Sequence, residues 1–309
     1  MHFAVSGVDC PIWLPPLVAF VVSFFTSMGG VSGAFLLLPF QMSFLGFTSP
    51  AVSPTNLVFN IVSIPSGVWR YLREGRMVWP LTWVVIVGTL PGVVLGGVIR
   101  LAWLPDPRPF KAFVGCVLLY IGGRMLWDLV RGWQKGAVPG KPASAPAGAA
   151  PAPPAAFVVD QCTITWRQLC FNFAGQTYAC STLGIFALSL AVGIVGGTYG
   201  IGGGSIVAPF FVAVYGLPVH AVAGAALMGT FVTSVVGVAF YQAIAPLYAG
   251  HLAVAPDWLL GALFGVGGLA GMYCGARMQR LVKASYIKAM LVAVLVGTAA
   301  KYLLEYFGG

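Results

Sequence analysis

Apolar runs closed by short polar or basic turns divide the chain into two series. The first run extends from Leu14 to about Phe47 and is interrupted by Gly29-Gly30-Val31-Ser32-Gly33. The next covers about Ser49–Trp69 and ends among Arg70, Arg73, Glu74 and Arg76; two more follow at about Val78–Ile99 and Phe110–Val130, with Arg100, Asp106 and Arg108 in the short loop between them. Residues 136–156 read GAVPGKPASAPAGAAPAPPAA, a composition that favours extended chain and marks a linker. After a mixed stretch over 157–182, whose Trp166 and Arg167 suit a membrane–water interface, the series repeats. A block over Leu183–Leu217 is broken by Gly200-Ile201-Gly202-Gly203-Gly204. It is followed by spans at about Pro218–Tyr241, Trp258–Ala276 and Ser285–Tyr306.

The halves also match by residue. At a shift of 170, Gly30 meets Gly200, Gly33 meets Gly203, and Pro39-Phe40 meets Pro209-Phe210. Leu57 meets Leu227, Asn60 meets Thr230 and Ser63 meets Thr233; at a shift of 179, Gly92 and Gly96 meet Gly271 and Gly275.

Each glycine-broken block is 34 or 35 residues long. A straight helix of that length would reach about 50 Å, against a hydrocarbon core of about 30 Å. Two complete spans would need about 40 residues. A re-entrant pair of half-helices fits, with its glycine-rich tip near mid-membrane. Each half then crosses three times, and the second half is inverted. The expected architecture is all-α and integral to the membrane: two inverted repeats, each a glycine-broken re-entrant helical hairpin plus three transmembrane helices. Residues 1–135 form the first repeat, 136–160 a Pro/Ala-rich cytoplasmic linker and 161–309 the second repeat.

Charge supports that arrangement. The inverted topology puts twelve of the sixteen Lys and Arg on one face and leaves Arg100, Arg108, Lys111 and Lys301 on the other; parallel halves would divide them nine to seven. Cytoplasmic loops are enriched in Lys and Arg, so both termini are expected outside and the linker inside.

Composition agrees. Charged residues make up 7% of the chain and hydrophobic residues 59%, with a mean hydropathy of +0.92. A soluble domain carries about 25% charged residues. The net charge of +9 lies in the loops, where it orients the chain in a bilayer rather than binding nucleic acid. Cys10, Cys116, Cys162, Cys170, Cys180 and Cys274 have no CxxC spacing, and with His2, His220 and His251 they make no metal-ligand cluster. The thiols are read as buried and packing as small apolar groups, and the two later histidines as solvated loop-end residues. No basic region precedes the first apolar run, so no cleavable signal peptide is expected. No GxxxxGK[ST] loop is present and no thiol sits beside a base, so neither ATP hydrolysis nor another enzymatic activity, nor a cofactor or metal, is expected.

A helix break frees N–H and C=O groups that lipid cannot satisfy. A half-helix starting at Gly33 or Gly203 would aim its free N–H groups and positive dipole end at mid-membrane, and glycine lets an anion approach the backbone. Two such tips meeting would hold a small oxyanion without buried Lys or Arg, none of which is read at mid-span. The candidate binding residues are Ser32, Gly33 and Ala34 in the first half and Gly202, Gly203, Gly204 and Ser205 in the second. On the helices that follow, Asn56, Asn60 and Ser63, and Thr230 and Thr233, share helical faces. Substrate contact and interhelical hydrogen bonding are both open for them. Gln41 and Tyr199 flank the tips. Gly92, Gly96, Gly271 and Gly275 are read as close-packing positions.

GGVSGAFLLLPF in one half and YGIGGGSIVAPFF in the other make the chain resemble the TauE/SafE sulfite exporter family over nearly its whole length, apart from the long linker. The resemblance implies a multi-pass carrier in a bacterial inner membrane. Its substrate would be sulfite, an organosulfonate such as sulfoacetate, or a related small sulfur anion. A channel for small inorganic anions is the alternative, and the sequence admits a homodimer.

Overall fold

The computed structural model describes residues 1–29, 32–73, 75, 77–134, 159–165, 168–173, 176–217, 219–248, 250–278 and 284–308. The linker core and Trp166-Arg167 lie outside them. Eleven helices dominate the described residues. In the first half these are α1 (Leu14–Gly29), α2 (Ala34–Ser43), α3 (Val52–Ser63), α4 (Pro65–Arg73), α5 (Trp79–Ala102) and α6 (Pro107–Gln134). In the second they are α7 (Thr182–Tyr199), α8 (Gly204–Tyr215), α9 (Val219–Ile244), α10 (Trp258–Met278) and α11 (Ala284–Phe307). Six segments, in α5, α6, α7, α9, α10 and α11, are long and apolar enough to cross a membrane, while Leu14–Ser27 and Ala34–Ser43 are shorter apolar helices. This is a multi-pass membrane protein.

Both glycine-rich stretches end one helix and begin another, as expected. The run expected at about Ser49–Trp69 is two helices, not one. Pro65 disfavours helical geometry at Ile64 and is preorganised for the first turn of a new helix. The chain restarts there, with Gly67 N–H and Val68 N–H bonding to Ile64 O at 2.9 and 3.1 Å. Val235 stands at the matching position of the second half, and α9 runs through unbroken.

Two small sheets were not foreseen. β1 (His2–Phe3) and β2 (Val8–Asp9) form a short antiparallel ribbon. β3 (Val159–Ile164), β4 (Gln168–Phe173) and β5 (Gln176–Ser181) form an antiparallel meander. The alternation Leu169, Phe171 on β4 is the signal for it: both are buried, and the Phe171 ring stacks on its cross-strand partner Tyr178 at 5.6 Å between centroids.

The chain forms two compact units that cut across the halves. One comprises Met1–Ser63, Arg100–Ala143 and Tyr241–Gly309; the other comprises Ile64–Ile99 and Ser144–Phe240. In the first, α10 packs along α1 and α3. Gly267, Gly271 and Gly275 of α10 abut the backbone of Pro16, Phe20 and Phe24, leaving no room for side chains. In the second, Gly88, Gly92 and Gly96 of α5 abut the carbonyls of Phe186, Leu190 and Ile194 on α7. Thr198 Oγ1 adds a bond to Gly96 O at 3.2 Å across that seam. Bilayer lipid is as apolar as Leu, so helices associate in it through such close backbone approach and interhelical hydrogen bonds. The close-packing role expected of Gly92, Gly96, Gly271 and Gly275 is observed.

Asp257 caps α10, accepting from Leu260 N–H at 3.1 Å. It also ties down the N-terminal ribbon by accepting from Ser6 N–H at 3.2 Å and Ser6 Oγ at 2.9 Å. Cys10 and Cys180 are buried as expected, but Cys170 and Cys274 are half-buried and Cys116, on α6, is exposed. His251 is exposed; the side chain of His220, in the first turn of α9, lies outside the described ones.

Candidate functional site

In the first unit, Gly33 is the N-cap residue of α2 and carries no side-chain cap. Ser32 Oγ accepts from Ala34 N–H at 3.3 Å. Asn56 reaches over from α3 and donates from Nδ2 to Ala34 O at 3.2 Å, while Gln41 Nε2 donates to Asn56 Oδ1 at 3.5 Å. Ser32, Gly33, Ala34 and Asn56 are thus gathered at one break, with Gln41 joining them. Asn60 and Ser63 stand one and two turns further along α3, and both are fully buried.

Sequence reasoning missed two α1 residues at this place. A Cβ on Gly33 would lie 2.8 Å from Ser23 Oγ and 3.5 Å from Thr26 Oγ1. The hydroxyl of Ser23 and Oε1 of Gln41 are buried without a hydrogen-bond partner among the described residues. Ser23 and Thr26 sit three apart on one face of a helix whose only other hydroxyl is Ser27, which was the available signal.

In the second unit, the break has a fixed geometry. Gly200 ends α7 with φ 88° and Gly202 follows at φ 79°, a region where side chains are strained. Gly203 N–H donates to Thr233 Oγ1 at 3.1 Å. Ser205 Oγ donates to Ile201 O at 2.9 Å and lies 3.3 Å from Thr230 Oγ1. Thr230 and Thr233 also bond back to Ala226 O and Gly229 O on their own helix, at 2.8 and 2.6 Å. Gly204 packs against Ala226 O and Thr230, and a Cβ on Gly203 would meet Thr89 Cβ at 2.9 Å. All six second-half candidates therefore surround one break. Tyr199, at the end of α7, is fully buried.

The two breaks share a plan. In each, the residue that starts the second helix (Ala34 or Gly204) rests against the third helix at equivalent positions, Asn56 or Ala226. They differ in chemistry: the amides of Asn56 and Gln41 join hydroxyls at the first, while the side-chain polar groups of the second are hydroxyls. The polar groups gathered at the two breaks are neutral: backbone N–H, hydroxyl and amide groups. No group of three or more His, Cys, Asp and Glu suited to a metal occurs among the described residues. The buried charged side chains described are Arg100 and Asp257, and both have their contacts elsewhere.

Arg100 requires a correction. The sequence reading put it in the loop after the third span, but it stands in the last turn of α5, fully buried. Leu101 and Ala102 carry the helix two residues past it, and its guanidinium lies over the Phe110 ring, 3.7 Å from the centroid.

Comparison with known proteins follows the same lines. The family model for the sulfite exporter TauE/SafE matches residues 16–302. No curated protein and no solved structure matches the chain. That match takes in all eleven helices save the ends of α1 and α11. The chain belongs to the TauE/SafE sulfite exporter family, whose members carry sulfur anions such as sulfite across membranes.

Proposed function

We propose that this protein is a secondary exporter of small sulfur oxyanions, sulfite or an organosulfonate such as sulfoacetate, in a bacterial inner membrane. The supporting observation is the pair of helix breaks. Each ends in a second helix, α2 or α8, whose N-cap is a glycine with no side-chain cap. The first N–H groups of a helix carry the positive end of its dipole and bind oxyanions without a formal charge. Neutral donors also suit a carrier, which must release its ligand as readily as it binds it.

In this reading α1/α2 and α7/α8 are re-entrant hairpins, the halves are inverted repeats, and the linker is cytoplasmic. Ser32, Gly33, Ala34, Asn56 and Asn60 serve one break; Gly202, Gly203, Gly204, Ser205, Thr230 and Thr233 serve the other. Uptake of sulfite, sulfoacetate, taurine and sulfate into proteoliposomes, with and without a pH gradient, tests it. Saturable flux with counterflow of one of the sulfur anions is expected. Unsaturable conductance would make the protein a channel, and absence of flux for all four would remove the substrate class.

A further inference from the structure

Arg100 is fully buried, and two contacts fix it. Its guanidinium carbon lies over the Phe110 ring, and Nη1 donates to the Leu104 carbonyl oxygen in the α5–α6 turn. Nε and Nη2 are sealed from solvent and make no hydrogen bond among the described residues. The ion pairs of the described residues join other groups, so no carboxylate among those residues balances this charge. Tyr241, also fully buried, lies within electrostatic range.

The two open nitrogens are not arbitrary. Nε and Nη2 form one edge of the guanidinium, and their N–H bonds run side by side at the spacing of two oxygens on one acid group. A buried cation without a counter-charge is strongly disfavoured, and this one keeps its bidentate edge unpaired among the described residues. We infer that Arg100 anchors a second, occluded site for a small soluble oxyanion, which takes the Nε–Nη2 edge with two oxygens. A lipid phosphate would have to bring its glycerol into a place sealed from solvent, so a free anion of the sulfite or sulfonate type fits the edge. The site is separate from the glycine breaks and goes beyond the reading given for them.

The test uses the full-length protein purified in a phosphate-free maltoside detergent. Labelled sulfite is measured by equilibrium dialysis, and thermal unfolding by tryptophan fluorescence in sulfite, methanesulfonate or chloride at matched ionic strength, or with added phosphatidylglycerol. Sulfite and methanesulfonate should raise the unfolding temperature; chloride, a single atom that cannot span two donors, should not. Arg100→Lys keeps the charge but loses the edge, and should weaken sulfite binding at this site about tenfold. Arg100→Gln should remove one binding equivalent, whereas Gly203→Val should keep it, so failure of the tip reading and failure of this site are separable. Should the Arg100 variants not fold, Phe110→Leu keeps the guanidinium without the ring that fixes its plane, and should bind sulfite severalfold more weakly. Unchanged sulfite binding in Arg100→Lys or in Phe110→Leu, equal stabilisation by chloride, or stabilisation by anionic phospholipid alone would each overturn the assignment.

Discussion

A Cβ on Gly92 would lie 2.6 Å from the carbonyl oxygen of Leu190. Gly271, its counterpart at a shift of 179, abuts the Phe20 carbonyl, and Phe20 is the counterpart of Leu190 at a shift of 170. Gly88 with Phe186 and Gly267 with Pro16 repeat the correspondence, as do Gly96 with Ile194 and Gly275 with Phe24. Each half thus lends its glycine-striped helix to the broken helix pair of the other. The internal repeat is a relationship of packing as well as of sequence, and each unit is complete only with a helix from the opposite half.

Valine at Gly92 or Gly271 must push two backbones apart. Overpacking of this kind costs about 1–3 kcal/mol, and here the obstructing atoms are main chain, which yields least. Both variants should unfold at clearly lower temperature in detergent. Gly123→Ala and Gly297→Ala, whose added carbons would meet nothing within 4 Å, should unfold like the parent or slightly later. Equal loss at all four positions would mean that the stripes are not close-packing seams.

Thr233→Val removes the acceptor for Gly203 N–H while nearly keeping the side-chain shape. An unsatisfied buried donor costs about 1–3 kcal/mol, so the second break should loosen. Transport of the sulfur anion should fall by about tenfold or more, with membrane insertion retained. Gly203→Val and Gly33→Val should abolish transport while the protein still inserts. Normal transport in both glycine variants would move the anion site elsewhere.

The thiols should separate by environment. Burial, and then the neighbouring Cys170, push the Cys180 thiol above its ordinary range. A raised thiol is protonated and unreactive at neutral pH and gains thiolate only as pH climbs through the raised value. Single-Cys variants should therefore show slow maleimide labelling of Cys180 that accelerates at alkaline pH. Replacing all six cysteines with Ala or Ser should leave transport intact, and loss of uptake would give a thiol a working role.

Topology is tested through the linker. A cysteine introduced within residues 136–156 should react with an impermeant maleimide only from the cytoplasmic side. Labelling from outside in intact cells would reverse the proposed orientation.

Much of this protein was legible before any coordinates. Scarce charge and long apolar runs dictate membrane helices, because lipid accepts only backbone that bonds to itself. The glycine clusters mark where helices must stop, because Gly200 and Gly202 take a left-handed backbone that other residues resist. Asn56 and Thr233 announce themselves as polar groups in an apolar setting. The split of α3 from α4 was also written in Pro65, although the hydropathy of the run concealed it.

Other features depend on contacts that only folding makes. Ser23 and Thr26 look like ordinary helix residues until folding sets them against Gly33. Periodicity shows that Gly92 lies in a helix with small neighbours, but not that the partner is α7 from the opposite half. Arg100 reads as a loop cation until Phe110 and Leu104 close around it. The sequence by itself determined the medium, the helices and their breaks, because those follow from local hydropathy and backbone freedom. The exchange of helices between halves, the residues gathered at each break and the burial of one arginine were decided only by tertiary structure. The exchange arises from contacts between segments far apart in the chain, the breaks from packing between neighbouring helices, and the arginine's burial from a turn whose shape packing sets.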